Sequence, residues 1–296
     1  MFDLRYHVAS LAAVFLMLVV GILIGVGISG RGFVDDRERD RLNSQITGLQ
    51  EEADAANATA DDLERRQEAA QDFVTTAYPV LVENRLAGKN IAVAVLGSLE
   101  QDSFAFVESA IKDDADGRLA RTRAVMLPLR LEAIEAELAN RAEFGGYVGE
   151  EQLQNLGRDL GRELVTGGET PLWDALAPEI VEEQSGGLAE PVDGVVVVRS
   201  AEPQAGASSR FLAGFYQGLA STGVPVVGVE PARVDQSAIP VFQDYGLSTV
   251  DGIDTELGQL AMVLLLGDAD PGNYGIRDTA TSGILPQIEP LPPTSG

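Results

Sequence analysis

The apolar residues of this chain follow three successive spacings, and each predicts a different element. From Val8 to Ile28 there is no periodicity: VASLAAVFLMLVVGILIGVGI runs without a charge. As a helix it spans roughly 30 Å, about the hydrocarbon thickness of a bilayer. An uncleaved anchor is the expected reading. A secretory signal peptide is the alternative, because Gly27-Ile28-Ser29 has the small-x-small form of a cleavage site. Gly21, Gly25 and Ser29 lie four apart, so one face of this helix is small and suits close approach of a second helix. Gly25 to Gly30 also spells GxGxxG. A dinucleotide fingerprint needs a short strand before it and an amphipathic helix after it, and RGFVDDRERDR has no apolar face.

Beyond the anchor the spacing alternates four and three without a slip. Leu42, Ile46, Leu49, Ala53, Ala56, Ala60, Leu63, Gln67, Ala70, Val74 and Ala77 form an a/d seam flanked by charge. A coiled-coil stalk is predicted, with Gln67 setting register and Pro79 stopping or kinking the helix. One amphipathic helix folded back on the body is the other reading. Arg5 precedes the anchor, whereas Arg31, Arg37, Arg39 and Arg41 follow it, interleaved with Asp35, Asp36, Glu38 and Asp40. A literal count of cations places the body in the cytoplasm, but interleaved acids and a long body weaken that rule.

From Lys89 onward short apolar runs alternate with helical patterns. Strands are expected at 91–96, 123–127, 194–198, 224–229 and, more weakly, 247–251. Helices are expected at 101–112, 131–141, 150–165, 172–184, 208–221 and 255–266. The order predicts an α/β fold: a mostly parallel sheet covered by helices on both faces. The expected domains are therefore an anchor at 1–30, a stalk at 31–87, an α/β body at 88–267 and an extended Pro/Gly-rich tail at 268–296.

Composition then narrows the chemistry. The chain has 21 Lys+Arg against 46 Asp+Glu, a net charge of −25, which repels phosphate backbones and argues against nucleic-acid partners. With no Cys and one His, His7, thiolate sites, multi-His metal sites and a Ser-His-Asp triad in the body are excluded. No Walker loop is present. The Asp113-Asp114-Asp116 and Asp268-Asp270 clusters miss calcium-loop register, since Lys112, Arg123 and Thr279 stand where acids are required. Trp173 and Tyr216 occupy helical apolar positions and are expected in the core. Met1, Met17, Met126 and Met262 are scattered, so no soft-metal site can be named, and no enzyme is expected.

The opening FDLRYHVASLAAVFLMLVVGILIGVG resembles the N-terminus of the actinobacterial copper transporter family, typified by mycobacterial copper transport protein B. STVDGIDTELGQLAMVLLLGDADPGNYGIRDTATSGILP is similar to that family's closing block, where VDxxDT leads into GQLA and a YG-R/K segment precedes Leu-Pro. The resemblance implies a cell-envelope protein of copper homeostasis and resistance, described as pore-forming, with copper as transported ion rather than cofactor. Relatives are also linked to septal cell separation. The competing expectation is a coiled-coil dimeric scaffold that binds an envelope or septal protein without holding copper. In either case the resemblance and the neutralised arginine cluster imply a single-pass protein of the cell membrane, N-terminus cytoplasmic and body outside, while the seam and the Gly21/Gly25 face predict a homo-oligomer, a parallel dimer or higher.

Overall fold

The computed structural model describes the backbone over residues 4–29, 36–98, 101–199 and 202–290, and side chains over 10–26, 39–98, 102–199 and 202–290. The chain divides into two units, 1–70 and 71–296, so the body begins earlier than residue 88.

In the first unit, α1 (Leu4–Ser29) carries no charge beyond its first turns. Its described apolar side chains, including Leu11, Phe15, Met17 and Leu23, are all exposed. Taken over the described residues, no helix is long and apolar enough to cross a membrane. The second helix, α2 (Asp36–Val82), is continuous through Pro79, so the expected stop is corrected. Tyr78, Val82 and Leu86 are buried in the body's core, and that packing holds the chain helical past the proline.

The body is a seven-stranded sheet in the order β3-β2-β1-β4-β5-β6-β7. Its strands are β1 (Asn90–Leu96), β2 (Arg118–Val125), β3 (Val181–Ser185), β4 (Gly194–Arg199), β5 (Val226–Glu230), β6 (Ser248–Asp251) and β7 (Asn273–Tyr274). All neighbours are parallel except β2 and β3. The connecting helices are α3 (Gln101–Ser109), α4 (Leu131–Ala139), α5 (Leu153–Thr166), α6 (Pro171–Ile180), α7 (Gly206–Ala220), α8 (Ile239–Asp244) and α9 (Glu256–Leu266). Both faces of the central strands are buried, which their unbroken Val/Ala/Ile runs require. Ala92, Ala94, Leu96, Val195 and Val197 face one core with Trp173, Phe215 and Tyr216. Ile91, Val93, Val95, Val196 and Val198 face the other, with α9 and the end of α2.

Three expectations are corrected. The helix foreseen over 172–184 ends at Ile180, because Pro178 removes an intrahelical donor. The polar segment VEEQS then turns back as β3, and Glu182 and Glu183 charge the sheet edge. The strand foreseen at 123–127 instead covers Arg118–Val125, as a register shift opposite Ile91 obscures its alternation. The tail is not merely extended: β7 adds a strand beside β6, and Ser282 donates its backbone N–H to the Asn273 carbonyl. Residues 291–296 of that tail lie outside the described residues.

Candidate functional site

Reading the parallel strands in chain order, β2-β1-β4-β5-β6 follows the doubly wound order 2-1-3-4-5, and β7 continues it as a sixth parallel strand. The connections leaving β1 and β4 run to opposite sides: α3 packs on one face of the sheet, α7 on the other. Such a switch point opens a crevice at the carboxyl ends of the strands, where open α/β sheets bind ligands. A cleft of about 710 Å³ lies there. Ser103 of α3, Arg199 at the end of β4, Glu230 at the end of β5, and the segment 231–236 line it.

One wall is held rigidly by the closing block. Glu230, at 2 % exposure, accepts the Ser237 hydroxyl and the Ala238 N–H at 2.7 Å each, and pairs with the Arg277 guanidinium. The same guanidinium donates to the Pro231 carbonyl at 2.9 Å and to that of Ala232. Asp251, also buried, accepts the N–H groups of Ile276 at 2.8 Å and Arg277 at 3.2 Å. Asp254 accepts the Ala232 N–H at 2.6 Å, and the Thr255 hydroxyl caps α9 through the Gly258 N–H. Gly275 sits at φ +140° against the Asp251 carboxylate, where any Cβ would lie 2.2 Å from an oxygen. VDGIDT and YGIR, separate in sequence, are thus one latch across β5 and β6. Their residue types serve buried hydrogen bonding and close approach.

What remains chemically free in the cleft is small in number and mixed in sign. The Arg199 guanidinium makes one bond, to the Gln236 carbonyl at 2.9 Å. Among the described residues, the side chains of Arg233, Glu202 and Asp235 have no ionic or hydrogen-bonding partner. The Ser103 hydroxyl, in a residue only 7 % exposed, likewise makes no hydrogen bond there.

The sequence-predicted residues are distributed over both units. Gly21 and Gly25 have open space where a Cβ would stand; the Ser29 side chain and Gly30 lie outside the described residues. Along the seam Leu42, Ile46, Leu49, Ala53, Ala56, Ala60, Gln67 and Ala70 are exposed, as is Leu63, whereas Val74 and Ala77 turn partly into the body. Trp173 and Tyr216 are core residues at 1 % and 2 % exposure. Asp114 accepts the Tyr78 hydroxyl at 2.8 Å; burial, with Asp114 adding to it, pushes that phenol well above its ordinary value. Asp268 pairs with Lys89 at 2.5 Å.

Sequence reasoning missed two buried arginines on β2. Arg121 donates to the Leu164 carbonyl near the end of α5 and to that of Glu190. Arg123 donates to the carbonyls of Thr122 and Ser185 at 2.7 Å and of Gly186 at 3.1 Å. Burial lowers both guanidinium pKa values; carbonyl oxygens accept their hydrogen bonds, and for Arg121 the Glu190 carboxylate offsets part of the shift. The run RLARTRAV carried the signal: two arginines at alternate positions of a strand.

For a soft metal the donors stay apart. Met262 is fully buried within α9, while Met126 is half-buried after β2 on a different strand connection. Among the described residues no three His, Cys, Asp or Glu side chains form a metal-holding group.

Comparison with known proteins gives a consistent picture. A family model described as "Copper transport outer membrane protein, MctB" matches residues 1–285. The chain is also similar to proteins named "Copper transporter MctB" from Mycobacterium tuberculosis and Mycobacterium bovis. Each is 27% identical over 327 positions, covering 97% of this chain and 100% of the relative.

Proposed function

This chain belongs to the family of copper transport outer membrane proteins, and from that premise we propose an envelope protein of copper homeostasis, anchored by α1 and paired through α2. The observation that carries the reading is the extent of the match, which takes in the apolar opening, the seam and the closing latch together. The proposed topology is single-pass, N-terminus inside, body outside. It is supported by the uncharged run from Val8 to Ile28 in the sequence and by the acids that offset the arginines trailing it.

The role is non-enzymatic and exercised by an assembly. One apolar helix cannot enclose a wet path, so export of copper requires several copies or a partner. The alternative, a scaffold without direct copper contact, is favoured by one observation: the body's two thioethers do not converge, and Cu(I) needs converging soft donors. Deleting the gene should make cells copper-hypersensitive, and the intact gene should restore tolerance. Unchanged tolerance with a cell-separation defect would select the scaffold instead. Competition with a chromophoric Cu(I) chelator should find no sub-micromolar Cu(I) site in the body. A one-to-one complex abolished by Met126→Leu or Met262→Leu would reverse that view.

Pairing has its own test. Leu42, Ile46, Leu49 and Leu63 are 50–65% exposed, a long apolar stripe that a parallel partner helix would cover. Joint Ile46→Asp and Leu49→Asp substitution should convert a detergent-solubilised dimer to monomer, read by sedimentation. Wild-type protein sedimenting as a monomer at tens of micromolar would refute the pairing.

A further inference from the structure

We propose that the strand-end cleft binds a short zwitterionic peptide, its carboxylate taken by Arg199 and Arg233 and its ammonium by Glu202 and Asp235. The first ground is where charges go unpaired. Elsewhere in the body five arginines find acids, Arg118 with Glu190, Arg130 with Glu179, Arg141 with Glu137, Arg162 with Asp159 and Arg210 with Glu150, while Arg85 and Arg158 donate to carbonyl or amide oxygens. A chain with 46 acids to 21 bases makes such pairing easy. Yet Arg199, Arg233, Glu202 and Asp235 line a single cleft, two of each sign, and none bridges to another. Opposite charges held apart across a ligand-sized gap are complementary to a ligand that carries both signs, also separated.

The second ground is the unused hydroxyl of Ser103. Ser103 is 93% removed from solvent and lines the cleft, and its hydroxyl makes no hydrogen bond among the described residues, which leaves it available to a bound ligand. A peptide amide supplies the missing partner, as donor or acceptor. Third, the wall is preorganised. Arg277 neutralises Glu230 and fixes carbonyls 231 and 232, and Arg199 fixes carbonyl 236, so the cleft does not have to be ordered on binding.

Size and lining narrow the ligand further. A volume of about 710 Å³ lies within the roughly 300–1,000 Å³ of small-molecule sites and exceeds what one amino acid fills. Val198, Pro203, Val234 and Ala238 provide apolar surface for small side chains. The carboxylates of Glu202 and Asp235 disfavour polyanions, and the two guanidiniums disfavour polyamines.

The test uses the full-length protein in detergent micelles with three probes: tri-alanine, N-acetyl-tri-alanine and tri-alanine amide. Calorimetry or equilibrium dialysis should give saturable one-to-one binding of the zwitterion. Each capped probe should bind at least about tenfold more weakly, the loss expected when a charged hydrogen-bonding partner goes missing. Arg233→Gln touches no described partner, so its fold is not at stake, and it should erase the preference for tri-alanine over the amide. Asp235→Asn should erase the preference over the N-acetyl form. The proposal is overturned if no probe saturates by about 10 mM, or if either capped form binds as tightly as the zwitterion. It is equally overturned if both variants keep the wild-type preferences.

Discussion

Replacing Gly214 by Ala should lower the stability of the body by about 2–3 kcal/mol, the cost of forcing atoms into a packed contact. Helices α5 and α7 meet backbone to backbone. A Cβ on Gly214 would stand 1.9 Å from the Gln154 carbonyl oxygen, and one on Gly218 2.1 Å from that of Arg158. From the other side, a Cβ on Gly157 would stand 2.1 Å from the Phe211 carbonyl oxygen, and one on Gly161 2.5 Å from that of Phe215. The obstructing atoms are helical backbone, which has no rotamer with which to yield. Alanine's better helix propensity, about 1 kcal/mol over glycine, offsets only part of the loss. For a body of this size the thermal midpoint should fall by about 4–12 °C, read by circular dichroism. Gly157→Ala should behave alike. Gly48→Ala, on an open stretch of α2 with nothing within 4 Å, should leave the body's midpoint unchanged. A Gly214→Ala midpoint equal to wild type would mean that the two helices are farther apart than described.

The second large effect is expected at the latch. Arg277→Met should cost about 3–5 kcal/mol, because it leaves the Glu230 carboxylate buried without its counter-charge. It also abandons the carbonyls of Pro231 and Ala232, and frees the closing segment to lift from β6. Chymotrypsin should then cut near Tyr274 under conditions that spare the wild type. Converting the pair together, Glu230→Gln with Arg277→Met, should recover much of the loss. The amide oxygen of a glutamine at that position would still accept from Ser237 or Ala238, while the side chain carries no charge. If Arg277→Met melts with wild type, the pair contributes no net stability. If the double variant is as unstable as the single one, the lost carbonyl contacts dominate and not the stranded charge.

Much of this architecture is determined by the order of residues alone, because it rests on periodicity. Val195–Val198 and Ile91–Leu96 are apolar on both faces, and only a strand covered on both sides tolerates that, so the parallel sheet and its two helical layers follow. The unbroken four-three spacing of α2 and the uncharged run of α1 are equally local properties. So are the two end blocks by which the family is recognised. Other features arise only when distant segments meet. Nothing in VEEQS distinguishes an edge strand from the last turn of a helix until β2 offers it hydrogen bonds. Proline at 79 reads as a terminator until Tyr78 and Val82 find the core of the body. The glycines of α5 and α7 look like poor helix formers until each is seen against the other's backbone. Likewise Arg199, Glu202, Arg233 and Asp235 are ordinary surface charges in sequence. They become a candidate site because β4 and β5 end at the same edge of the sheet, beside the point where its winding reverses. Spacing along the chain encodes which face a residue presents; what that face meets depends on long-range contacts that no local pattern contains.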